Sequence, residues 1–265
     1  MNEAELVLTH VLNCDRLSLY LNKDLKLNGD KSALLSSILK RRMLGEPVQY
    51  ILGETEFMGF KFRVDNRALI PRPETEILVE MAIEKLRQDG IVWPKILDLG
   101  TGSGCIAVAL AKNLKSADVW ASDVSDAALQ LAQENADLNK VEVKFLRSDI
   151  FSALELKGEK FDLIISNPPY ISDRDFGSLA KEIFFEPQVA LKAGKDGLDF
   201  YRRIISQAGS YLRGEGLLIF EVGLGQADLV KGLLEREGFN HLSSARDYSS
   251  IERIVMAKKG LLKNG

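Results

Sequence analysis

The feature that most constrains the fold of this chain is a regular alternation of strand-like and helix-like segments from residue 94 onward. The predicted strands are 95–99, 118–122, 141–146, 161–166, 216–222, 241–245 and 253–257, and the predicted helices between them are 106–113, 127–138, 200–212 and 227–237. This order predicts an α/β domain in which a seven-stranded, mostly parallel sheet, of the Rossmann-like kind, carries helices on both faces. The last two strands have no helix between them, which predicts an antiparallel pair at one edge.

The first 72 residues do not share this alternation. Residues 1–45 carry apolar positions at helical spacing and predict a small helical domain. Residues 46–72 form a connecting segment, and the glycines, aromatic and β-branched residues of 50–64 predict a β-hairpin within it. Pro73 suits the first turn of a helix, where its missing N–H has no intrahelical partner. The third predicted domain therefore spans 73–265.

Composition argues against several classes of protein. Hydrophobic residues make up 46% of the chain and charged residues 28%, and the net charge is -3, so no global positive field attracts nucleic acid or anionic lipid. Two cysteines and two histidines, without a CxxC pair, argue against a zinc or iron–sulfur site and suit a reducing compartment. We find neither a signal-peptide pattern nor an apolar run of membrane-spanning length. We expect a cytoplasmic protein, and a monomer because no long apolar seam is present.

A glycine-rich segment follows the first strand of the alternating region. It reads DLGTGSG over residues 98–104 and leads directly into a predicted helix. Glycines permit tight turns and a close approach of ligand to backbone, and a strand, glycine loop and helix in this order mark a cofactor site at the carboxyl edge of an α/β sheet. Asp123 ends the next strand, where an acidic residue can bind ribose hydroxyls. Asp98 could bind the ligand or only cap the loop.

The spacing of the glycines bears on which cofactor binds. A dinucleotide-binding loop follows the pattern GxGxxG, whereas here the third glycine arrives one position early and Cys105 stands in its place. This spacing weakens the prediction of NAD binding. Asp123 does not discriminate, because enzymes that use NAD and enzymes that use S-adenosylmethionine share such an acid.

The tetrapeptide Asn167-Pro168-Pro169-Tyr170 follows the fourth strand of the alternating region and indicates the chemistry. It predicts a stiff corner, because proline fixes its own φ angle, restrains the residue before it and lacks an N–H donor. The Asn167 side-chain oxygen and the Pro168 carbonyl could then accept both N–H groups of a flat amide or amine, with Tyr170 stacked on it. Such alignment can contribute roughly 7–11 kcal/mol to catalysis. We therefore predict methyl transfer from S-adenosylmethionine to a planar nitrogen.

This corner and several other segments resemble the release-factor glutamine methyltransferases, the HemK/PrmC family. The resemblance runs from residue 45 onward, and apart from the corner it is carried by residues 45–51, 56–59, 69–76, 186–187 and 196–198. It implies methylation of the side-chain amide nitrogen of the glutamine in the Gly-Gly-Gln motif of peptide chain release factors, which act in translation termination. It also implies that the helical domain and the hairpin help to dock the release factor.

The resemblance also assigns site residues. It implies that the glycine loop and Asp123 bind S-adenosylmethionine, that Asp149 and Ile150 lie beside the adenine, and that residues 167–170 hold the glutamine. Residues 72–75 are expected to wall the cofactor pocket. The predicted catalytic residues are Asn167, Pro168, Pro169 and Tyr170, and the predicted cofactor-binding residues are Gly100, Thr101, Gly102, Ser103, Gly104, Asp123, Asp149, Ile150 and Asn167.

Two other functions stay open at this level. A nucleic-acid amine methyltransferase could hold adenine or guanine in the same corner, but such an enzyme should carry a basic channel. The segment after the corner instead contains the acidic residues Asp173, Asp175, Glu182 and Glu186. We therefore expect a protein substrate and no direct binding of nucleic acid. The other alternative is a cofactor-binding module without catalysis or a dinucleotide oxidoreductase, against which the proline corner argues.

Overall fold

The computed structural model describes residues 2–22, 25–153 and 158–260. Its first four helices are α1 (Glu3–Leu12), α2 (Arg16–Leu21), α3 (Gly29–Met43) and α4 (Val48–Leu52). The side chains of Asn2, Asp15 and Asn28 each accept a backbone N–H of the helix that follows, which explains where the first three begin. Val7, Val11, Ile38 and Val48 form an apolar cluster that joins α1, α3 and α4. These helices confirm the predicted helical character of the N-terminal segment.

The hairpin is shorter than the sequence indicates. Its strands are β1 (Glu54–Phe57) and β2 (Phe60–Arg63), which pair in antiparallel register. The prediction of hairpin structure for 50–52 was wrong, because these residues belong to α4. Ile51 and Leu52 pack against the N-terminal apolar cluster there, and burial outweighs their strand propensity. Gly53 ends the helix with a left-handed φ of 76°.

The rest of the chain follows the predicted alternation. Its elements are α5 (Pro73–Gln88), β3 (Lys95–Leu99), α6 (Cys105–Asn113), β4 (Asp118–Asp123), α7 (Asp126–Asn139), β5 (Lys144–Arg147), β6 (Phe161–Ser166), α8 (Asp173–Phe176), α9 (Asp199–Ala208), β7 (Leu212–Glu221), α10 (Ala227–Arg236), β8 (Phe239–Arg246) and β9 (Glu252–Lys259). The helix predicted at 200–212 differs most from the structure, because it ends at Ala208. A turn follows it, and Leu212 already pairs with Phe161 of the neighbouring strand, so β7 begins before the predicted residue 216.

The large sheet has seven strands in the order β5-β4-β3-β6-β7-β9-β8, and β9 alone runs in the direction opposite to the other six. This confirms the predicted fold class. The two terminal strands form an antiparallel pair as predicted, but β9 lies inside, between β7 and β8. The chain proceeds outward from β3 through β4 to β5 and then returns to place β6 on the other side of β3. The crevice at the carboxyl ends of β3 and β6 is therefore the topological switch point, where α/β sheets bind ligands.

Helices cover both faces of this sheet. Apolar residues of α5, α6 and α7 pack on one face, and those of α9 and α10 pack on the other. Pro73 occupies the first turn of α5, as predicted. Within the described part of the chain, no helix has the length and apolar character needed to cross a membrane.

Gly104 joins the glycine loop to α6 and packs against α7. Its φ is 80°, and a Cβ placed on it would lie 2.9 Å from the Ala132 Cβ and 3.1 Å from the Ala132 Cα. We expect Gly104→Ala to lower the free energy of unfolding by about 2–4 kcal/mol, because the strained backbone and the steric overlap add. Urea unfolding would measure this loss.

Gly238 provides the matched control for Gly104. Its φ is 79°, but a Cβ there would have no atom within 4 Å. Gly238→Ala should therefore lose only about 1 kcal/mol, the cost of the left-handed backbone. Equal losses for the two variants would show that contact with Ala132 contributes nothing.

Candidate active site

A cleft of about 1040 Å³, including the space at its open mouth, lies where β3, β4 and β6 end. The glycine loop and the corner that follows β6 line it together, and so do residues 67–72, which lead into α5. The predicted site residues that line this cleft are Gly100, Thr101, Gly102, Ser103, Asp123, Asp149, Ile150, Asn167, Pro168 and Pro169. Two predicted residues, Gly104 and Tyr170, lie outside this lining. Residues far apart in sequence thus share one cavity, as the topology requires.

Backbone hydrogen bonds and one carboxylate fix the glycine loop. The N–H groups of Gly100 and Thr101 both donate to the Ser122 carbonyl at 2.9 Å. Gly102 N–H donates to Asp123 Oδ2, also at 2.9 Å. Gly100 has a φ of 71°, and a Cβ on it would meet no atom within 4 Å. The loop therefore leaves room for a ligand to reach its backbone.

Asp98 lies buried beneath the loop. Its Oδ2 accepts a hydrogen bond from the Thr101 hydroxyl at 2.7 Å, so the loop-capping contact is present. Its Oδ1 is buried and has no hydrogen-bond partner among the described residues. Burial is the main cause that raises the pKa of Asp98 to about 7, and the nearby charge of Asp123 adds to it. A buried oxygen of this kind is stabilised only when a proton or a ligand satisfies it.

Asp149 and Ile150 form another wall of the cleft. Ile150 is buried with a φ of 55°, a left-handed conformation that β-branched residues rarely adopt. Its carbonyl accepts the Ser148 hydroxyl at 2.7 Å, which stabilises this turn. The exposed Asp149 carboxylate accepts from Arg203 Nη2 at 2.7 Å. The segment thus holds an apolar side chain and an acid at the cleft, and such backbone strain is typical of functional sites.

The corner after β6 is tied to the sheet and to α5. The Ser166 hydroxyl donates to the Leu99 carbonyl at 2.7 Å, which joins the ends of β6 and β3. Asn167 Nδ2 donates to Thr75 Oγ1 at 3.2 Å. The Tyr170 carbonyl accepts from Gln226 Nε2 at 3.0 Å, and its ring packs against the apolar cluster shared with α9 and α10. The predicted stacking of Tyr170 on a substrate stays a prediction.

Sequence reasoning missed a buried pair beside this corner. The Thr75 hydroxyl donates to Glu221 Oε2 at 2.6 Å, and both residues are only 2% exposed. Burial raises the pKa of Glu221 to about 7, although the hydrogen bond from Thr75 and the nearby Asn167 amide lower it. The signal that could have indicated Glu221 is an acidic residue at the carboxyl end of an apolar strand, because that is the edge where α/β sheets place ligands.

A second buried acid connects two walls of the cleft. Glu186 accepts a hydrogen bond from the Ile70 N–H at 3.1 Å and forms an ion pair with Arg72. Residues 70 and 72 precede α5, whereas Glu186 lies between α8 and α9. Removing Arg72 would leave the buried Glu186 charge without its partner, so the ion pair holds both segments in place.

Comparisons with known proteins identify the family. A model described as the PrmC N-terminal domain matches residues 1–53, and one described as the methyltransferase small domain matches residues 74–197. The chain is 43% identical over 259 residues to the release factor glutamine methyltransferase of Geobacter sulfurreducens, which covers 97% of this chain and 89% of that protein. It is 41% identical over 263 residues to the protein of the same name from Fusobacterium nucleatum, and this alignment covers 98% of this chain and 73% of that protein.

Solved structures support the fold independently of sequence. A methyltransferase from Pyrococcus furiosus superposes with a TM-score of 0.56 at 15% identity, covering 88% of this chain and all of that one. At this identity the likeness concerns the fold alone. The two relatives named above, by contrast, align with this chain over most of both lengths at more than 40% identity. The chain therefore belongs to the release factor glutamine methyltransferase family.

Proposed function

We propose that this protein transfers a methyl group from S-adenosylmethionine to the side-chain amide nitrogen of the Gly-Gly-Gln glutamine in peptide chain release factors. The observation that carries the proposal is that the glycine loop and the Asn167-Pro168 corner line the same cleft. A cofactor on the loop and an amide in the corner would therefore be neighbours. The names of the relatives supply the substrate class.

The residues around the loop suit this cofactor. The Asp123 carboxylate already accepts from the N–H groups of Gly102 and Ser125, and each oxygen keeps lone pairs for ribose hydroxyls. Ile150 offers an apolar surface for the adenine, and Asp98 Oδ1 is a buried acceptor without a partner among the described residues. S-adenosylmethionine, when bound, supplies an electrophilic methyl group on a positively charged sulfur. The loop, Asp123, Asp149 and Ile150 are its main proposed binding residues, and Asn167 of the corner is proposed to contact it as well.

The corner suits a primary amide. The Asn167 side-chain oxygen and the Pro168 carbonyl would each accept one of its two N–H groups, and the two prolines bring no donor that competes. Holding both hydrogens fixes the plane of the amide and hence the direction of the nitrogen lone pair. Neutral acceptors achieve this without burying a charge. The chain needs no strong base before transfer, because the proton leaves once the nitrogen is cationic.

The segments before α5 are the proposed docking region for the release factor. Arg42 of α3 forms ion pairs with Glu3 and with Glu182, so the helical segment contacts the region between α8 and α9 that borders the cleft. The division into residues 1–45, 46–72 and 73–265 stays a prediction. We also propose a cytoplasmic location, which suits the free thiols of Cys14 and Cys105.

The test is methylation of a purified release factor with labelled S-adenosylmethionine. We expect label on the glutamine of the Gly-Gly-Gln motif, located by mass spectrometry, and none on a release factor in which alanine replaces that glutamine. Calorimetric binding of the cofactor is the control for folded enzyme. An unlabelled release factor despite measured cofactor binding would refute the proposal, and labelling of DNA or RNA instead would support a nucleic-acid substrate.

A further inference from the structure

The side chain of Asn167 has two chemically different ends, and a chain of hydrogen bonds decides which one faces the cleft. Asn167 Nδ2 lies 3.2 Å from Thr75 Oγ1, and Thr75 Oγ1 lies 2.6 Å from Glu221 Oε2. A hydroxyl has a single proton to donate. Because Thr75 gives that proton to Glu221, its oxygen can only accept from Asn167. The NH₂ end of Asn167 must therefore face Thr75.

This arrangement leaves Asn167 Oδ1 for the cleft. Asn167 lines the cleft, and no donor within residues 2–22, 25–153 and 158–260 bonds to its Oδ1. The oxygen is therefore available to an N–H group of a substrate. A reversed side chain would present its own NH₂ to the substrate, and two donors would then face each other.

We propose that Thr75 and Glu221 are positioning residues, in which an ionised Glu221 carboxylate fixes the direction of the hydrogen-bond chain and so turns the Asn167 oxygen toward the substrate amide. This inference rests on the function proposed above. A protonated Glu221 could donate to Thr75 Oγ1, and Thr75 could then donate to Asn167 Oδ1. Protonation of one buried carboxyl would thus permit the wrong orientation of the residue that holds the substrate.

The groups around Glu221 come from every element packed on it. They are Glu74 and Thr75 of α5, Cys105 of α6, Asn167 and Tyr170 of the corner, Tyr201 of α9 and Arg253 of β9. Burial is the largest influence on the pKa of Glu221 and raises it to about 7; the charge of Glu74 also raises it, whereas the Thr75 hydrogen bond, Arg253 and the Asn167 amide lower it. The carboxylate is therefore charged above about pH 7, and the orienting effect is lost as pH falls below that value.

Thr75→Val and Thr75→Ser separate the hydroxyl from the shape of the side chain. Valine keeps the shape and removes the hydroxyl, so kcat at saturating cofactor and release factor should fall roughly 10- to 100-fold, with little change in the Kd for S-adenosylmethionine. Serine keeps the hydroxyl and should restore most of that loss. Saturating cofactor is required because Asp98, beneath the loop, also has a pKa of about 7.

The pH profile of turnover gives a signature that a merely structural role would not produce. Wild-type kcat should fall by up to about tenfold per pH unit just below about 7, as one group takes up a proton, and then level off at the lower activity of the protonated form. Glu221→Gln should have a kcat below the wild-type plateau that no longer changes over this range, because glutamine does not titrate. If kcat of Glu221→Gln still falls below about pH 7 as it does in the wild type, the proposal is overturned.

An NMR titration tests the same chain without turnover. The side-chain NH₂ signals of Asn167 in ¹⁵N-labelled protein are identified by their absence from Asn167→Ala. They should shift with an apparent pKa of about 7 in the wild type and not in Glu221→Gln. If the NMR signals shift in the wild type but the release factor is not methylated, the hydrogen-bond chain is supported and the proposed substrate is refuted. If the release factor is methylated but the NMR signals do not shift, the hydrogen-bond chain is refuted. A wild-type kcat in Thr75→Val would refute it as well.

Discussion

Asn167→Ala is expected to lower kcat for release-factor methylation roughly 100- to 1000-fold, the range seen when one fixed polar group is removed from an active site. The variant loses one of two proposed acceptors for the substrate amide. The nitrogen lone pair would then no longer be held in the direction of the methyl group of the cofactor. The Kd for S-adenosylmethionine should change little, because the Asp123 carboxylate and the glycine loop stay in place. Single-turnover methylation and calorimetric cofactor binding measure the two effects separately.

Asn240→Ala is the matched control for Asn167→Ala. Asn240 lies exposed on β8, away from the cleft, and the same truncation there should leave turnover at the wild-type level. Turnover retained in Asn167→Ala would contradict the assigned role. So would a loss of cofactor affinity as large as the loss of turnover, since it would place Asn167 mainly in cofactor binding.

Asp123→Ala should show the opposite pattern. We expect the Kd for S-adenosylmethionine to rise roughly 10- to 100-fold, because hydrogen bonds to a charged group contribute about 1.5–3 kcal/mol. The variant also releases the N–H groups of Gly102 and Ser125, so the loop itself would loosen. At saturating cofactor, turnover should recover most of its wild-type value. Calorimetric titration of the purified protein measures the affinity directly.

Asp126→Ala controls for the loss of a negative charge near the loop. Asp126 begins α7 three residues after Asp123, pairs with Arg147 at 3.0 Å and lies outside the lining of the cleft. Its removal should leave cofactor affinity close to that of the wild type. A cofactor titration of Asp123→Ala that matches the wild type would remove Asp123 from the proposed binding residues.

The alternating part of the chain was predictable because its signals are local. The inner strands β3, β6, β7 and β9 each carry an apolar run, and a parallel sheet places the ends of successive strands at one edge. The glycine loop and residues 167–170 each follow such a strand, so their meeting in one cleft follows from strand order. The prediction failed at 50–52, because the apolar residues there suit a helix as well as a strand. Packing on α1 and α3 favours the helix.

The supporting contacts of the cleft could not be predicted in this way. Thr75 and Glu221 meet across 146 residues of sequence, and Arg72 and Glu186 across 114. Neither pair has a local pattern, because a buried polar contact depends on how helices and loops pack on the sheet. The inner position of β9 is equally non-local, since adjacent strands in sequence form an antiparallel pair whichever of them lies at the edge.

The proposed chemistry depends on where a substrate amide lies relative to the corner and the glycine loop. A crystal structure with S-adenosylhomocysteine and a release-factor domain bearing Gly-Gly-Gln tests it most directly. We predict the glutamine side-chain nitrogen within roughly 2.7–3.2 Å of both Asn167 Oδ1 and the Pro168 carbonyl oxygen, on the side facing the cofactor sulfur. A complex in which residues 167–170 face away from that sulfur, or in which the glutamine binds elsewhere, would contradict the account.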